Sequence, residues 1–202
     1  MISQSETPNL PHIPGTTEEA GVIQQLLQHH DIEILSLEGE AATVSQAMIH
    51  METHSCIHFA CHAHQNTIEP LKSRFMLHDG DLELSEILKK QLKEANLAYL
   101  SACQTSTGDE KLSEEAVHLA AGMLAAGYRG VVATMWSISD QHGPQIAEDF
   151  YANLIAYGGE QNILSSENAA CALHYAVQKL QKKLDDSESS LLVWIPYVHF
   201  GL

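Results

Sequence analysis

Two apolar stretches of the sequence each lead into side chains that are capable of covalent chemistry. Residues 97–102 run into Cys103, and residues 55–60 run into Cys61 and His62. An imidazole that removes the proton of a thiol gives the minimal nucleophile and base of a thiol hydrolase. The pairing therefore predicts hydrolysis through a thioester. The alternative for Cys103 is a small buried hydrophobe, which is the state of most free cysteines.

Both stretches have the length and polarity of strands in a parallel sheet. Each is short and apolar, and each gives way to a polar loop, at residues 65–67 and 106–109. Runs of this kind are typical of central strands rather than helices. The carboxyl ends of parallel strands meet at one edge of the sheet, where open α/β sheets bind ligands. We therefore expect Cys103 and the histidine-bearing strand end to meet at this edge.

The same strand end also has the residue types of a metal site. His58, His62, His64 and Cys61 are all candidate ligands. Side chains alternate along a strand, however, so the three histidines share one face and Cys61 lies on the other. No Cys-x-x-Cys pair is present either, and such pairs are common in zinc sites. We expect no metal and no other cofactor.

The elements around these strands alternate along the chain. Apolar periodicity predicts strands at residues 32–37, 130–136 and 192–200, and helices at about 17–30, 43–51, 113–126, 140–157 and 166–184. Asp79-Gly80 between two short apolar pieces indicates a hairpin, which we expect to form a flap beside the site. Alternating strands and helices predict right-handed crossovers and a three-layer αβα sandwich with a mainly parallel sheet.

Length and composition fit a single intracellular domain. The chain has 202 residues, is 45% hydrophobic and carries a formal net charge of −16. That charge opposes binding to nucleic acid or to an anionic membrane, and no apolar run is long enough to span a bilayer. Four scattered cysteines favour a reducing compartment, so a cytoplasmic location is expected. Residues 1–16, with three prolines, are interpreted as a tail or linker.

Taken together, these motifs resemble the CHAT domains, which are caspase-like relatives of separase. The resemblance covers nearly the whole chain, and it rests on the order and spacing of several pieces. They are Glu18-Glu19, 58–62 (HFACH), 100–105 (LSACQT), 126–136 (AGYRGVVATMW), Asp140, Phe150-Tyr151 and 194–201 (WIPYVHFG). Ala102-Cys103-Gln104 also matches the middle of a caspase cysteine signature, whereas Ser101 and Thr105 depart from its ends.

The resemblance implies a caspase-like fold and assigns roles to particular residues. His62 would be the catalytic histidine, Cys103 the nucleophile, and the backbone amides of Ala63 and Cys103 the oxyanion hole. The family normally has glycine after the histidine, and Ala63 stands in its place here. Residues 17–202 would form the CHAT domain. Relatives commonly carry helical repeats upstream, so we expect a piece of a longer protein.

The function implied is that of a cysteine endopeptidase which cleaves a protein or peptide substrate in a signalling role. Upstream repeats would regulate it. Two alternatives remain open: a caspase-like module that binds partners without catalysis, and a thiol hydrolase acting on something other than protein. The rim of the pocket is assigned to Trp136 and Asp140. A carboxylate there would favour a basic side chain, although an aspartate just before a helix is also an ordinary N-cap.

Overall fold

The computed structural model contains one central sheet with helices on both faces. It describes residues 1–8, 10–66, 68–90, 92–104, 116–136, 141–159 and 164–201, with the backbone alone at 102–104 and 116–118. The strands of this described part are β1 (Ile2–Ser3), β2 (Leu37–Glu38), β3 (Cys56–His64), β4 (Arg74–Met76), β5 (Asp81–Glu83), β6 (Leu97–Gln104), β7 (Gly130–Thr134) and β8 (Tyr197–Gly201). The predicted three-layer, caspase-like α/β sandwich is confirmed.

The sheet is parallel over most of its width. Its strand order is β2-β1-β3-β6-β7-β8, and β8 is antiparallel to β7. The predicted hairpin is confirmed as β4 and β5, which pair antiparallel to each other. β4 also pairs with the last residues of β3, from His62 to His64. The flap therefore lies directly beside the strand end that carries the candidate histidine.

The helices are α1 (Gly15–His29), α2 (Val44–Thr53), α3 (Leu84–Ile87), α4 (Ala116–Ala125), α5 (Gly143–Gly158), α6 (Ala169–Gln181) and α7 (Glu188–Trp194). Local sequence signals explain several of their ends. The Thr43 side chain caps α2 by accepting the Gln46 N–H, and Pro144 occupies the first turn of α5. Gly159 ends α5 with a φ of 63°, a conformation that glycine adopts at no steric cost.

Each face of the sheet has its own hydrophobic core. Helices α2, α3 and α4 cover one face, where the rings of Phe59 and Phe75 stack with centroids 4.2 Å apart. Helices α1, α5 and α6 cover the other face, around Tyr99 and Phe150. The alternation of β3 thus divides its side chains between two layers. Cys61 packs in the first core, as predicted, away from His58 and His62.

The interpretation of residues 1–16 as a tail is wrong. Ile2 and Ser3 form a strand between β2 and β3, and both residues are buried. The segment continues along the sheet, since the Gln4 N–H donates to the Ala60 carbonyl at 2.9 Å. A strand of two residues is too short to show any periodicity. The prolines that indicated a linker mark turns of an ordered segment instead.

Several other boundaries differ from those predicted, including those of β7 (Gly130–Thr134) and α6 (Ala169–Gln181). α1 begins at Gly15 rather than Thr17, and the strand expected at residues 32–37 is reduced to Leu37–Glu38. The apolar run from residue 192 divides into the end of α7 and the strand β8. Ser187 accounts for this division, because its side chain accepts the Ser190 N–H and starts a helix. In the part of the chain described, no helix is long and apolar enough to cross a membrane.

Candidate active site

The sheet register brings the two predicted catalytic positions opposite each other. β3 and β6 are parallel neighbours, and His62 pairs with Cys103 near the carboxyl ends of both strands. Neighbouring strands lie about 4.8 Å apart, so these two backbone positions are adjacent. Both segments form strands here because most of their side chains are apolar and pack against a layer of helices on each side of the sheet. The expectation that the two reactive strand ends share one edge is confirmed at the level of the backbone.

The imidazole of His62 is buried and held by a backbone carbonyl. Only 3% of the residue is exposed, and its Nε2 lies 2.8 Å from the Pro11 oxygen. A carbonyl can only accept a hydrogen bond, so the proton of the neutral ring is on Nε2. Nδ1 is also buried and has no hydrogen-bond partner among the described residues. The basic lone pair of this imidazole is therefore on Nδ1.

The segment that carries Pro11 is fixed at both of its ends. Towards the N-terminus, the Ile13 N–H donates to the Ser5 carbonyl at 3.1 Å, next to the strand formed by Ile2 and Ser3. Towards α1, the Thr16 hydroxyl donates to the Ile13 carbonyl at 2.8 Å. The orientation of His62 therefore depends on the N-terminal segment. Sequence reasoning missed Pro11, because a backbone carbonyl leaves no signature in residue type.

Ala63, one of the two predicted oxyanion donors, lies inside the ladder. The Ala60 carbonyl faces β1, since it accepts from Gln4. Backbone polar groups alternate along a strand, so those of Ala63 face β6, where this residue pairs with Gln104. The residue has an extended conformation. The φ freedom of the family's glycine is thus not needed in this arrangement.

Below His62 on the same face of the sheet lies a buried polar cluster. It consists of Glu19 of α1, His58 of β3, Ser101 of β6 and Tyr151 of α5, of which none is more than 7% exposed. The His58 Nε2 lies 3.0 Å from a Glu19 oxygen, at an angle that makes the contact electrostatic rather than a directed hydrogen bond. The Ser101 hydroxyl donates to the other Glu19 oxygen at 2.8 Å.

The remaining contacts of His58 complete this cluster. Its Nδ1 lies 3.1 Å from the Tyr151 hydroxyl, and its ring stacks on Tyr99 with centroids 4.8 Å apart. Burial, with a contribution from the Glu19 charge, raises the pKa of both tyrosines well above the ordinary value. Tyr151 is therefore a neutral partner of His58. Sequence reasoning considered His58 as a candidate metal ligand and Glu19 as part of a family motif, and it did not connect them.

The other candidate residues are dispersed. Cys61 points into the opposite core, and among the described residues no three or more histidine, cysteine, aspartate or glutamate side chains are grouped to hold a metal. Trp136 is half-buried two residues beyond β7, and its indole N–H donates to the Leu192 carbonyl at 3.1 Å. Asp140 lies outside the described residues. Trp136 therefore connects the end of β7 to α7.

A cavity of about 90 Å³ lies away from the candidate dyad, towards the amino ends of the strands. Aliphatic side chains line most of it, including Ile23, Leu27 and Ile34, together with Cys56. Burial raises the pKa of the Cys56 thiol, which donates to the Leu164 carbonyl. This cavity does not include His62, and a thiol with a raised pKa is a poor nucleophile at neutral pH. The cavity thus reaches His58 and Tyr151 of the polar cluster but does not extend to His62.

Comparison with known proteins agrees with this architecture. The family model described as "CHAT domain" matches residues 2–202. The matched region includes β1, so the family pattern extends through the segment that holds Pro11. No curated protein matches the sequence. The CHAT domains are related to caspase-like peptidases. With a match over almost its entire length, this chain belongs to the CHAT domain family.

Proposed function

We propose that this domain is a cysteine endopeptidase in which Cys103 is the nucleophile and His62 is the base. The observation that carries the proposal is the β3–β6 register, which pairs these two residues at the carboxyl edge of a parallel sheet. The hydrogen bond from His62 Nε2 to the Pro11 carbonyl supports it, because the basic Nδ1 then has no hydrogen-bond partner in the described part of the chain. The substrate is a protein partner in the cytoplasm, and upstream regions of the same protein control the cleavage.

The reaction follows from the tautomer of His62. Nδ1 takes the proton of the Cys103 thiol, and the thiolate attacks the carbonyl carbon of the scissile peptide bond. The imidazolium then gives this proton to the leaving amine as the C–N bond breaks, which leaves a thioester on Cys103. Water hydrolyses the thioester and regenerates the thiol. An ordinary cysteine has a pKa of about 8.5, so the imidazole is needed to produce thiolate at neutral pH.

The oxyanion of this reaction would be bound by the amides of Ala63 and Cys103. Such amides stabilise the developing charge when they already point at it. Because the Ala63 amide faces β6, it becomes available when the two strands part beyond His62. This requirement favours a latent domain, in which a partner or an upstream region opens the end of the ladder. We expect the isolated domain to be weakly active.

The specificity proposed is for a basic side chain beside the cleaved bond. Asp140 would provide a carboxylate, and the net charge of −16 favours approach of basic segments. If Trp136 lines the pocket instead, an apolar side chain is expected. A positional peptide library profiled with wild type and Asp140→Ala separates these cases. Preference for acidic residues would refute both, and an unchanged basic preference in the variant would make Asp140 a helix cap.

A second candidate is a binding module that has lost catalysis. The observation that favours it is the position of Ala63, which has a side chain where the family has glycine and an amide directed into the ladder. The two candidates differ in the state of the thiol. An active peptidase needs a thiolate at neutral pH, whereas a binding module does not.

The test is labelling and proteolysis with four variants. Cys103→Ala and His62→Ala should each reduce cleavage of a basic peptide by several orders of magnitude, with the circular dichroism spectrum unchanged. Cys61→Ala, in the opposite core, and Cys171→Ser, at an exposed thiol, are the matched controls and should remain active. A peptide-based thiol probe should label Cys103 in preference to exposed Cys171. Full activity in Cys103→Ala would exclude the proposed mechanism.

A further inference from the structure

One buried carboxylate joins the two strands that carry the proposed dyad. Glu19 is 2% exposed, and its two oxygens contact different strands: His58 of β3 at 3.0 Å and Ser101 of β6 at 2.8 Å. Removing a carboxylate from water is costly unless charged or hydrogen-bonding partners replace the lost hydration. The Ser101 hydroxyl is such a partner for one Glu19 oxygen, the other oxygen lies against the His58 imidazole, and both contacting residues are themselves buried.

These contacts lie directly below the reactive pair. Residues 58, 60 and 62 share one face of β3, and positions 101 and 103 share the corresponding face of β6. The register pairs Ala60 with Ser101 and His62 with Cys103, so Glu19 contacts the strands one pleat before the dyad. Two residues of a strand span about 7 Å. The carboxylate is thus close to the dyad without occupying its position.

The neighbouring residues are small where the carboxylate needs room. Ala60 is the one β3 residue on this face between His58 and His62, and its ladder partner is Ser101. On the other side, α5 starts at Gly143. A Cβ atom at that glycine would lie 3.3 Å from a Glu19 oxygen and 3.8 Å from the Ser101 hydroxyl. β3, β6 and α5 therefore each place a small residue beside this carboxylate.

The same helix also controls the orientation of His62. α1 begins at Gly15, four residues after Pro11, and Thr16 in its first turn holds the connecting backbone at Ile13. A shift of α1 would therefore move the carboxylate below the dyad and the carbonyl that holds the imidazole. A contact with a merely structural role would stabilise the helix without affecting the thiol.

We propose that Glu19 is a positioning residue for the Cys103–His62 pair, acting through His58 and Ser101. The inference rests on the proposed function and deepens it. By fixing the spacing of β3 and β6 one pleat away, the carboxylate keeps the imidazole within reach of the thiol. The titratable side chains facing it are His58 from β3 and, beyond this ring, Tyr99 from β6 and Tyr151 from α5. Both tyrosines remain uncharged, because burial raises their pKa values.

The test measures the reactivity of the thiol rather than proteolysis. Alkylation of Cys103 by iodoacetamide is followed against pH by mass spectrometry, which separates its peptide from those of the other cysteines. In wild type the midpoint of the rate profile should lie below the value of about 8.5 for an ordinary thiol. Glu19→Gln keeps the size of the side chain and an acceptor for Ser101, but it removes the charge facing His58. Its midpoint should rise towards 8.5, and the rate at pH 7 should fall about tenfold.

Three further variants make the result interpretable. Ser101→Ala removes only one of the two strand contacts and should shift the midpoint in the same direction, so it also serves if Glu19→Gln does not fold. Ile23→Val alters the same helix in its buried core and should lower the melting temperature while leaving the midpoint unchanged. His62→Ala removes the base, and its midpoint should reach about 8.5.

The outcomes distinguish the inference from the proposed function. If His62→Ala shifts the midpoint and neither Glu19→Gln nor Ser101→Ala does, the dyad exists and Glu19 is structural, which overturns the inference alone. If Ile23→Val shifts the midpoint as much as Glu19→Gln, the effect reflects general loss of stability, and the inference is also overturned. If His62→Ala has no effect on the midpoint, the proposed function itself fails.

Discussion

Two neighbouring tyrosines allow a direct measurement of what the His58 cluster contributes to stability. Tyr99 and Tyr151 are both buried, at 2% and 4% exposure, and both contact the His58 ring. They differ in their hydroxyl groups. The Tyr151 hydroxyl lies 3.1 Å from the His58 Nδ1, whereas the Tyr99 hydroxyl is buried without a hydrogen-bond partner among the described residues. Replacing each by phenylalanine removes one oxygen atom from the same small region.

The two replacements should change the free energy of unfolding by different amounts. Tyr151→Phe leaves the His58 Nδ1 buried and without its partner, and an unsatisfied buried polar group costs about 1–3 kcal/mol. Tyr99→Phe keeps the ring that stacks on His58 and removes a hydroxyl that already lacks a partner. Its effect on the free energy of unfolding should be close to zero or stabilising. For a chain of this size, about 1 kcal/mol corresponds to roughly 2–4 °C in Tm.

Urea unfolding followed by far-ultraviolet circular dichroism is the appropriate assay. The midpoint concentration should fall in Tyr151→Phe and stay the same or rise in Tyr99→Phe, with the same slope in both. If Tyr99→Phe proved as destabilising as Tyr151→Phe, the loss would come from the packing contacts of the hydroxyl oxygen, which both variants remove. The hydrogen bond to His58 would then contribute nothing measurable, and the polar cluster would not be as tightly organised as the distances indicate.

Two other changes test β8 and its packing. Gly201 has a φ of 131°, and an added Cβ would lie 2.2 Å from the Arg129 carbonyl oxygen, so Gly201→Ala should cost of order 1–3 kcal/mol on thermal unfolding. The matched control, Gly21→Ala in α1, meets nothing within 4 Å and should stabilise by about 0.5–1 kcal/mol; equal losses would contradict the argument. Desolvation lowers the pKa of His199 from 6.5, so the unfolded state binds more protons just below that pH. Stability from the neutral ring is present above pH 6.5 and lost as the pH falls through the folded-state pKa. The melting temperature of His199→Gln should therefore fall less than that of wild type between pH 7.5 and 5.5. An equal fall in both proteins would refute a contribution of His199 to the pH dependence.

The sequence predicts the two middle strands of the sheet, β3 and β6, well because they are long and apolar. β3 and β6 each combine a buried run with an abrupt polar end, which locates both the strand and its reactive edge. The alternation of His58, Cys61 and His62 then assigns faces without any knowledge of partners. These signals are local, and they hold wherever both faces of a strand are covered by helices.

The parts that sequence reasoning missed depend on long-range or backbone contacts. The Ser101–Glu19 hydrogen bond joins residues 82 positions apart, and glutamate near a helix start has a sufficient local explanation in the helix dipole. Pro11 acts through its carbonyl, which any residue would supply. β1 is two residues long, below the length at which periodicity can be detected. None of these three features has a residue type or a spacing by which it could be recognised in the sequence.

The two-sided packing of β3 has a consequence for how this domain can change over time. Residues 58, 60 and 62 face one layer of helices, while Phe59, Cys61 and Ala63 face the other. Substitutions whose side chains lie more than about 7–10 Å apart usually combine additively. Positions of α2, α3 and α4 that lie beyond this distance from His62 and Ala63 can therefore accumulate changes in stability with little effect on the candidate site. For protein engineering, the same division means that thermostability can be selected first at those helix positions, before any residue at the strand ends is varied.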